Sequence, residues 1–283
     1  MTSWLKQSSV KPLPKKDSLF FETDSAGFCA QFNNYLYATL YARSLKTRLY
    51  VNDTTNSLSI RYPLLRNTFV PVADLSDVQF TDGQILTASS IKNRAVPLRV
   101  FLNAVTPANL RVAARSIFEW NDTLLEKMMK LVDHLPSEID VAVHMRGGDK
   151  IVTGEMRPLT VDQYVREVET YLRSSKKQSY NVFVMSDSPE RIEEFTKKAP
   201  SSWKVHTLRS PISMGGHVQR FFNAAPARER MDSYISFMAE LYVAQRVPRI
   251  VCTFSSNVGR FLYLTADDRT TVVSIDESKF VAF

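Results

Sequence analysis

No run in this chain of 283 residues approaches the roughly 18 consecutive apolar residues of a membrane-spanning helix, and the first thirty residues lack the apolar core of a signal peptide. Cysteine is almost absent. Cys29 and Cys252 each sit among apolar neighbours with no disulfide framework and no metal spacing around them, so free thiols in a reducing compartment are expected. The chain has no internal repeat, no low-complexity tract and no carboxylate pair spaced for a metal. It also lacks a basic segment interleaved with the stacking aromatics of a nucleic-acid binder. These absences argue against a membrane-embedded protein, a disulfide scaffold and a nucleic-acid partner, and they predict a cytoplasmic protein or a domain that has lost its export segment. Two Asn-Asp-Thr triplets, at Asn52 and Asn121, match the glycosylation acceptor pattern; without a secretion signal they read as chance matches.

What is present is ordinary in bulk. With 44% hydrophobic and 23% charged residues the composition is globular, and the length suffices for two modest domains or one large one. The net charge of +7 suggests an anionic partner. Several of the cations, however, lie in the leader (Lys6, Lys11, Lys15, Lys16) or on helix faces (Lys197, Lys198), so the excess reads mostly as solvated surface.

Residues 1–18 are lysine-rich and broken by Pro12 and Pro14, a loose basic arm. "GFCAQFNNYLYATLYARSLKTRLYV" then gives a loop at Gly27, a helix carrying Phe32, Leu36, Leu40 and Tyr41, and a strand from Arg48 to Val51. Short strand-like pieces follow at 69–72 and 78–80, and 107–135 is patterned as helix. "LPSE", Leu135 to Glu138, marks a domain boundary. Beyond it strands at 139–144, 181–186, 204–208, 249–253 and 271–275 alternate with helices at 160–173, from 189, at 228–245 and at 257–265. Alternating β and α units imply a parallel sheet with helices on both faces. Ligands of such sheets bind at the carboxyl ends of strands, so the residues just after each strand are where chemistry is expected.

Three of those strand ends carry it. "VAVHMRGGDKIVTGE" leaves the first strand through His144, Arg146, Asp149 and Lys150, with Gly147 and Gly148 allowing a ligand to come close to the backbone. Arginine matches phosphate oxygens in pairs and lysine acts as a point charge, so this turn suits an anion; a surface cluster in which Asp149 pairs with Arg146 or Lys150 is the alternative. "VMSDSPER" places Asp187 where it either orients a sugar hydroxyl or helps cap the helix opened by Ser188 and Pro189, capping being the simpler reading. "IVCTFSSNVGRFLYL" runs through Thr253, Ser255 and Ser256 straight into a helix, a phosphate seat or a plain serine cap. On successive strands of one sheet, the three together point to a nucleotide diphosphate.

These segments resemble the α1,6-fucosyltransferases and their bacterial nodulation relatives, within the protein O-fucosyltransferase superfamily. "VHMRGGDK" is similar to their His-x-Arg-x-x-Asp-Lys motif, "VMSDSP" to an Ala-Thr-Asp-Asp-Pro turn and "VCTFSSNVGR" to Cys-Thr-Phe-Ser-Ser-Gln-Val-Cys-Arg. "GFCAQFNNYLYATLYA" is similar to their glycine loop and first helix, so the resemblance spans most of 25–50 and 138–265. It implies an α/β, GT-B-like architecture: two Rossmann-like domains, an acceptor-side half at 19–136 and a nucleotide-sugar half at 137–283, with the donor cleft between them. It also implies an inverting, metal-independent transferase with GDP-fucose as donor substrate, no further cofactor, and a glycan or other hydroxyl acceptor.

Carried over by position, Arg146 holds the diphosphate, with Asp149 beside it in the same motif, and His144 lies by the guanine and ribose. Glu240 reads guanine, Thr253, Ser255 and Ser256 meet the phosphates, and Gly27 and Phe28 close over the pyrophosphate. Glu155 is nominated as the base for the acceptor hydroxyl, one position later than the family's acidic residue, with Lys150 paired to it or touching the leaving phosphate. The chain departs from the family in having Gly147 for a second arginine (Arg220 and Arg260 are candidate replacements), Ser188 for an aspartate and Cys29 for a glycine. The rivals to this reading are a transferase using another nucleotide sugar and a nucleotide-sugar binding module without turnover.

Overall fold

A computed structural model of the chain describes residues 19–22, 27–52, 85–86, 105–120, 122–147, 159–208 and 224–280. The N-terminal part opens with β1 (Leu19–Glu22), α1 (Phe28–Ser44), β2 (Leu49–Asn52) and β3 (Ile85–Leu86). Its strands form a parallel sheet in the order β2-β1-β3, with Phe20 opposite both Tyr50 and Ile85. The strand β1 was not foreseen, because "LFFE" is too short for a period to show. In α1 the residues Phe28, Phe32 and Leu36 are buried, and so are Gln31, Asn33 and Asn34. The helix is covered on more than one side, so it has no single apolar stripe.

Two helices follow, α2 (Pro107–Ile117) and α3 (Asp122–Val132). Thr106 caps α2, its hydroxyl accepting the Asn109 N–H at 3.2 Å, with Pro107 at the first helical position. The single helical stretch expected over 107–135 is thus two helices. Phe118 leaves the first in an extended conformation, and the Trp120 indole N–H donates to Gln245 Oε1 at 3.1 Å. Tertiary contacts of two aromatic side chains override the local helical pattern. The strand-like pieces at 69–72 and 78–80 lie outside the described residues.

The C-terminal half alternates β4 (Val141–Met145), α4 (Val161–Leu172), β5 (Tyr180–Ser186), α5 (Pro189–Lys198), β6 (Trp203–His206), α6 (Ala227–Ala244), β7 (Arg249–Cys252), α7 (Asn257–Thr265) and β8 (Thr271–Ser274). Its strands form an all-parallel sheet in the order β6-β5-β4-β7-β8. All five residues of β4 are buried, as a central strand covered on both faces requires. Chain order runs outward from β4 to β6 on one side and from β7 to β8 on the other, so the sheet reverses direction between β4 and β7. Such a switch point opens a crevice at the carboxyl edge, where α/β sheets hold their ligands.

Alternation along β4 divides its side chains between two cores. Val141, Val143 and Met145 join Tyr164 and Val168 of α4 and Phe195 of α5. Ala142 joins a larger core that runs without a break from β1 and α1 through α2 and α3 to α6 and α7. At its centre the buried Phe261 ring meets Phe28 at 5.5 Å, Phe32 at 5.1 Å and Phe118 at 5.2 Å, so residues from both halves close on one ring. Cys29 and Cys252 are buried free thiols. Among the described residues no helix is long and apolar enough to cross a membrane.

Candidate active site

The switch point carries the residues that the strand ends singled out. His144 is the last residue but one of β4 and buried, on the same face as Ala142. Burial, and then the neighbouring Arg146 guanidinium, push its pKa down to about 3, so the imidazole is neutral. Its Nδ1 has no hydrogen-bond partner among the described residues. Arg146 follows, mostly buried, in an ion pair with Asp187 whose side chains are 16% and 12% exposed. Asp187 also accepts the Gly147 N–H at 2.5 Å, and the Ser186 hydroxyl donates to the Met145 carbonyl at 2.7 Å. The end of β5 therefore fixes the exit from β4.

This corrects the simpler reading of Asp187. The cap of α5 is Ser188, whose hydroxyl accepts the Arg191 N–H at 3.4 Å, and Asp187 is turned to the arginine instead. Gly147 also finds a physical reason. A Cβ there would come within 2.9 Å of Ser188 Cβ and 3.2 Å of both Arg191 Cδ and Asp187 Oδ1, which leaves no room for an arginine without rearrangement.

At the second exit Thr253 is fully buried with Oγ1 unpartnered among the described residues. Its carbonyl accepts the Ser256 N–H at 3.3 Å, and Ser256 caps α7 by accepting the Val258 N–H at 3.3 Å. Helix and strand meet closely here, since a Cβ on Gly259 would lie 2.0 Å from the Thr253 carbonyl oxygen. Ser255 is held from below. Its N–H and hydroxyl both go to Asp276, just beyond β8. Nothing in the sequence reading named Asp276, although the rule that chemistry follows each strand would have reached it.

The third contribution comes from α1. Gly27 stands at its start, and Asn33 donates from Nδ2 to the Asn257 carbonyl at 3.4 Å, tying α1 to the first residue of α7. The Phe28 side chain belongs to the core, so it has only its backbone to offer a ligand. Arg260 on α7 lies near Tyr37 of α1, where its charge partly offsets the burial that raises the tyrosine pKa. Glu240, on α6, retains some surface, yet the protein around it desolvates the carboxyl enough to raise its pKa well above the ordinary value. It has no hydrogen bond or ion pair among the described residues. Asp149, Lys150, Glu155 and Arg220 lie outside them.

A cavity of about 510 Å³ lies elsewhere, lined by Arg115, Trp120, Gln245, Arg246 and Arg269 among others. It opens at the amino edge of the sheet, before β7 and β8 begin, and none of the strand-exit residues reaches it.

No family model matches the chain, and no curated protein matches it in sequence. Solved structures do match in shape. The selenomethionine form of the fucosyltransferase NodZ from Bradyrhizobium superposes with a TM-score of 0.50 at 13% identity, over 88% of this chain and 92% of that one. POFUT1 in its apo form superposes with a TM-score of 0.51 at 12% identity, over 92% and 99%. This chain shares their fold. A NodZ α-1,6-fucosyltransferase soaked with GDP-fucose superposes at 0.49 and 12% identity, over 88% and 93%. Within that fold the structure brings His144, Arg146 and Asp187 to one side of the switch point, Thr253, Ser255 and Ser256 to the other, and the start of α1 against α7.

Proposed function

We propose that this chain is an inverting, metal-independent glycosyltransferase that moves fucose from GDP-fucose to a glycan or other hydroxyl acceptor. The observation that carries the reading is the pairing of Arg146 and the serine-capped start of α7 on the two strands flanking the reversal of the sheet, in a fold shared with solved fucosyltransferases. The halves 19–136 and 137–283 face the acceptor and the nucleotide sugar respectively.

Transfer with a nucleotide leaving group requires the departing diphosphate to be neutralised and the acceptor hydroxyl to lose its proton. Arg146 meets the first need. Asp187 holds its guanidinium in place, and a diphosphate, bearing more charge than one carboxylate, competes for it. The first N–H groups of α7 add a second positive end. His144, kept neutral, can accept or donate one hydrogen bond to the nucleoside without adding charge. Glu240 suits the guanine edge, whose two N–H donors would restore the ionised form that burial disfavours. Glu155 is the proposed base, with Lys150 beside it. The two buried free thiols support a reducing, cytoplasmic setting.

The test is a panel of GDP, UDP and dTDP in thermal unfolding of the full chain, followed by GDP-fucose against GDP-mannose with capture of the product. GDP at about one hundred times its Kd is expected to stabilise the fold by about 2.7 kcal/mol, and UDP and dTDP much less. Arg146→Ala is expected to lower transfer by about 10²–10³-fold with the fold kept. A folded Arg146→Ala protein that transfers at the wild-type rate would refute the assignment. One observation favours a second reading, a binding module without turnover: the closed space at Gly147, where the resemblance expects another arginine. Release of GDP in the presence of candidate acceptors separates the two.

A further inference from the structure

Asp276 turns back beneath the 253–256 turn and gathers its donors. Oδ1 accepts the Phe254 N–H at 2.9 Å and the Ser274 hydroxyl; Oδ2 accepts the Ser255 N–H at 3.2 Å and the Ser255 hydroxyl. Ser274 Oγ is itself shared by the Phe254 N–H at 3.0 Å and the Glu277 N–H at 3.3 Å. An ionised carboxylate only accepts, so both serine hydroxyls must donate to it. Burial alone would raise the Asp276 pKa, but the hydroxyl and amide hydrogen bonds outweigh burial and hold it below the ordinary carboxylate value.

A serine hydroxyl has one proton, and Ser255 directs it at Asp276. The amides of residues 254 and 255 point the same way. What the turn can present to an anion therefore begins one residue later, with Ser256 and the first N–H groups of α7, beside the buried Thr253 hydroxyl, which has no partner among the described residues. We infer that Asp276 is a positioning residue for the phosphates of the donor: acting through Ser255 and the turn, and not by contact, it fixes the backbone so that Ser256 and the start of α7 face the ligand. The inference rests on the donor reading given above and moves Ser255 from the phosphates to the scaffold that carries them.

Asp276→Asn keeps the size of the side chain but offers one carbonyl where two oxygens are needed. The full chain is compared with Asp276→Asn, Ser255→Ala and the double variant for GDP affinity by calorimetry, for unliganded melting and for the KM and kcat of GDP-fucose. Each single change is expected to weaken GDP binding by about tenfold, by analogy with the loss of groups that orient metal ligands. The double variant is expected to lose no more than the worse single one, because Asp276 acts through Ser255. The KM for GDP-fucose should rise by the same factor while kcat at saturating donor holds, which a mere loss of folded protein does not produce. Unchanged GDP affinity in a cooperatively melting Asp276→Asn protein, or losses that multiply in the double variant, overturns the inference. If Asp276→Asn fails to fold, Ser274→Ala takes its place: weakened GDP binding supports the inference and unchanged binding overturns it. Wild-type protein that binds no GDP overturns the donor reading and this inference with it, whereas wild-type binding beside an indifferent Asp276→Asn overturns this inference alone.

Discussion

The two strands that flank the reversal of the large sheet, β4 and β7, leave it by similar means and for different ends. Behind the exit of β4, strand β5 supplies Ser186 and Asp187; behind the exit of β7, strand β8 and the residues after it supply Ser274 and Asp276. In both places an outer serine and aspartate bind the backbone of the inner exit. The difference lies in what else the aspartate holds. Asp187 holds a guanidinium, and an ion pair can change partners when a more highly charged ligand arrives. Asp276 holds two hydroxyls and two amides, neutral donors that a polyanion gains little by displacing. The first exit is built to exchange a partner and the second to keep its shape. Chemistry is therefore expected at the first, and geometry for the nucleotide at the second.

The largest effect should come from disturbing the exit that keeps its shape. In Gly259→Ala the new Cβ would lie 2.0 Å from the Thr253 carbonyl oxygen and 3.2 Å from Cys252 Sγ. The obstacle is backbone on one side and a helix start on the other, so neither can step aside cheaply. A loss of stability on the order of 3 kcal/mol is expected, against the small gain that alanine brings to a helix. Denaturant midpoints of the two proteins measure it. A variant as stable as wild type would show that α7 can slide on β7 and that the second exit is not rigid.

Acid should separate the exits next. The folded pKa of His144, about 3, is below its ordinary value of 6.5, so between the two the unfolded chain binds more protons than the folded one. The stability held by the neutral imidazole is full above pH 6.5 and is lost as the pH falls toward about 3, with a limiting slope of about 1.4 kcal/mol per pH unit. Asp276 has its pKa lowered from 3.8, so its contribution is lost only as the pH falls below that value. Stability followed from about pH 7 to about pH 5 is expected to decline in wild type and in Asp276→Asn, and to decline less in His144→Gln. His206, also depressed in pKa, chiefly by burial, adds a slope common to all three proteins, so the comparison is between variants. An equal slope in His144→Gln would mean that the β4 exit is open to water.

The sequence showed the sheet well and the site in part. The inner strands β4, β5 and β7 carry apolar cores (Val141–Val143, Val182–Met185 and Ile250–Cys252), and the helix expected at 257–265 is Asn257–Thr265. Reading the residues after each strand reached Arg146, Asp187, Ser255 and Ser256. Their partners were less legible, because an aspartate after a strand looks the same whether it caps a helix, pairs with an arginine or buttresses a loop; only the register between β4 and β5, and between β7 and β8, decides. Asn33 was hidden for the same reason. Its partner, Asn257, is 224 residues away. The break between α2 and α3 was missed because Trp120 and Gln245 are also remote in sequence, 125 residues apart.

Gly147 gives the smallest effect and the most direct comparison with Gly259. A methyl group at Gly147 would meet Ser188 Cβ at 2.9 Å, Arg191 Cδ at 3.2 Å and Asp187 Oδ1 at 3.2 Å, and all three are side-chain atoms. Arg191 Cδ and the Asp187 carboxylate can swing aside, whereas Ser188 Cβ moves only with its backbone, so Gly147→Ala should cost about 1–2 kcal/mol, still less than the carbonyl clash at Gly259. The shift would fall on Asp187, which orients Arg146 and accepts the Gly147 N–H. Transfer should therefore drop more than stability does, by about tenfold, since a small misplacement of a group that stabilises the transition state is felt in rate. Gly147→Ala with full activity would show that Asp187 does not set the guanidinium, and the contrast between an exchanging exit and a fixed one would lose its first half.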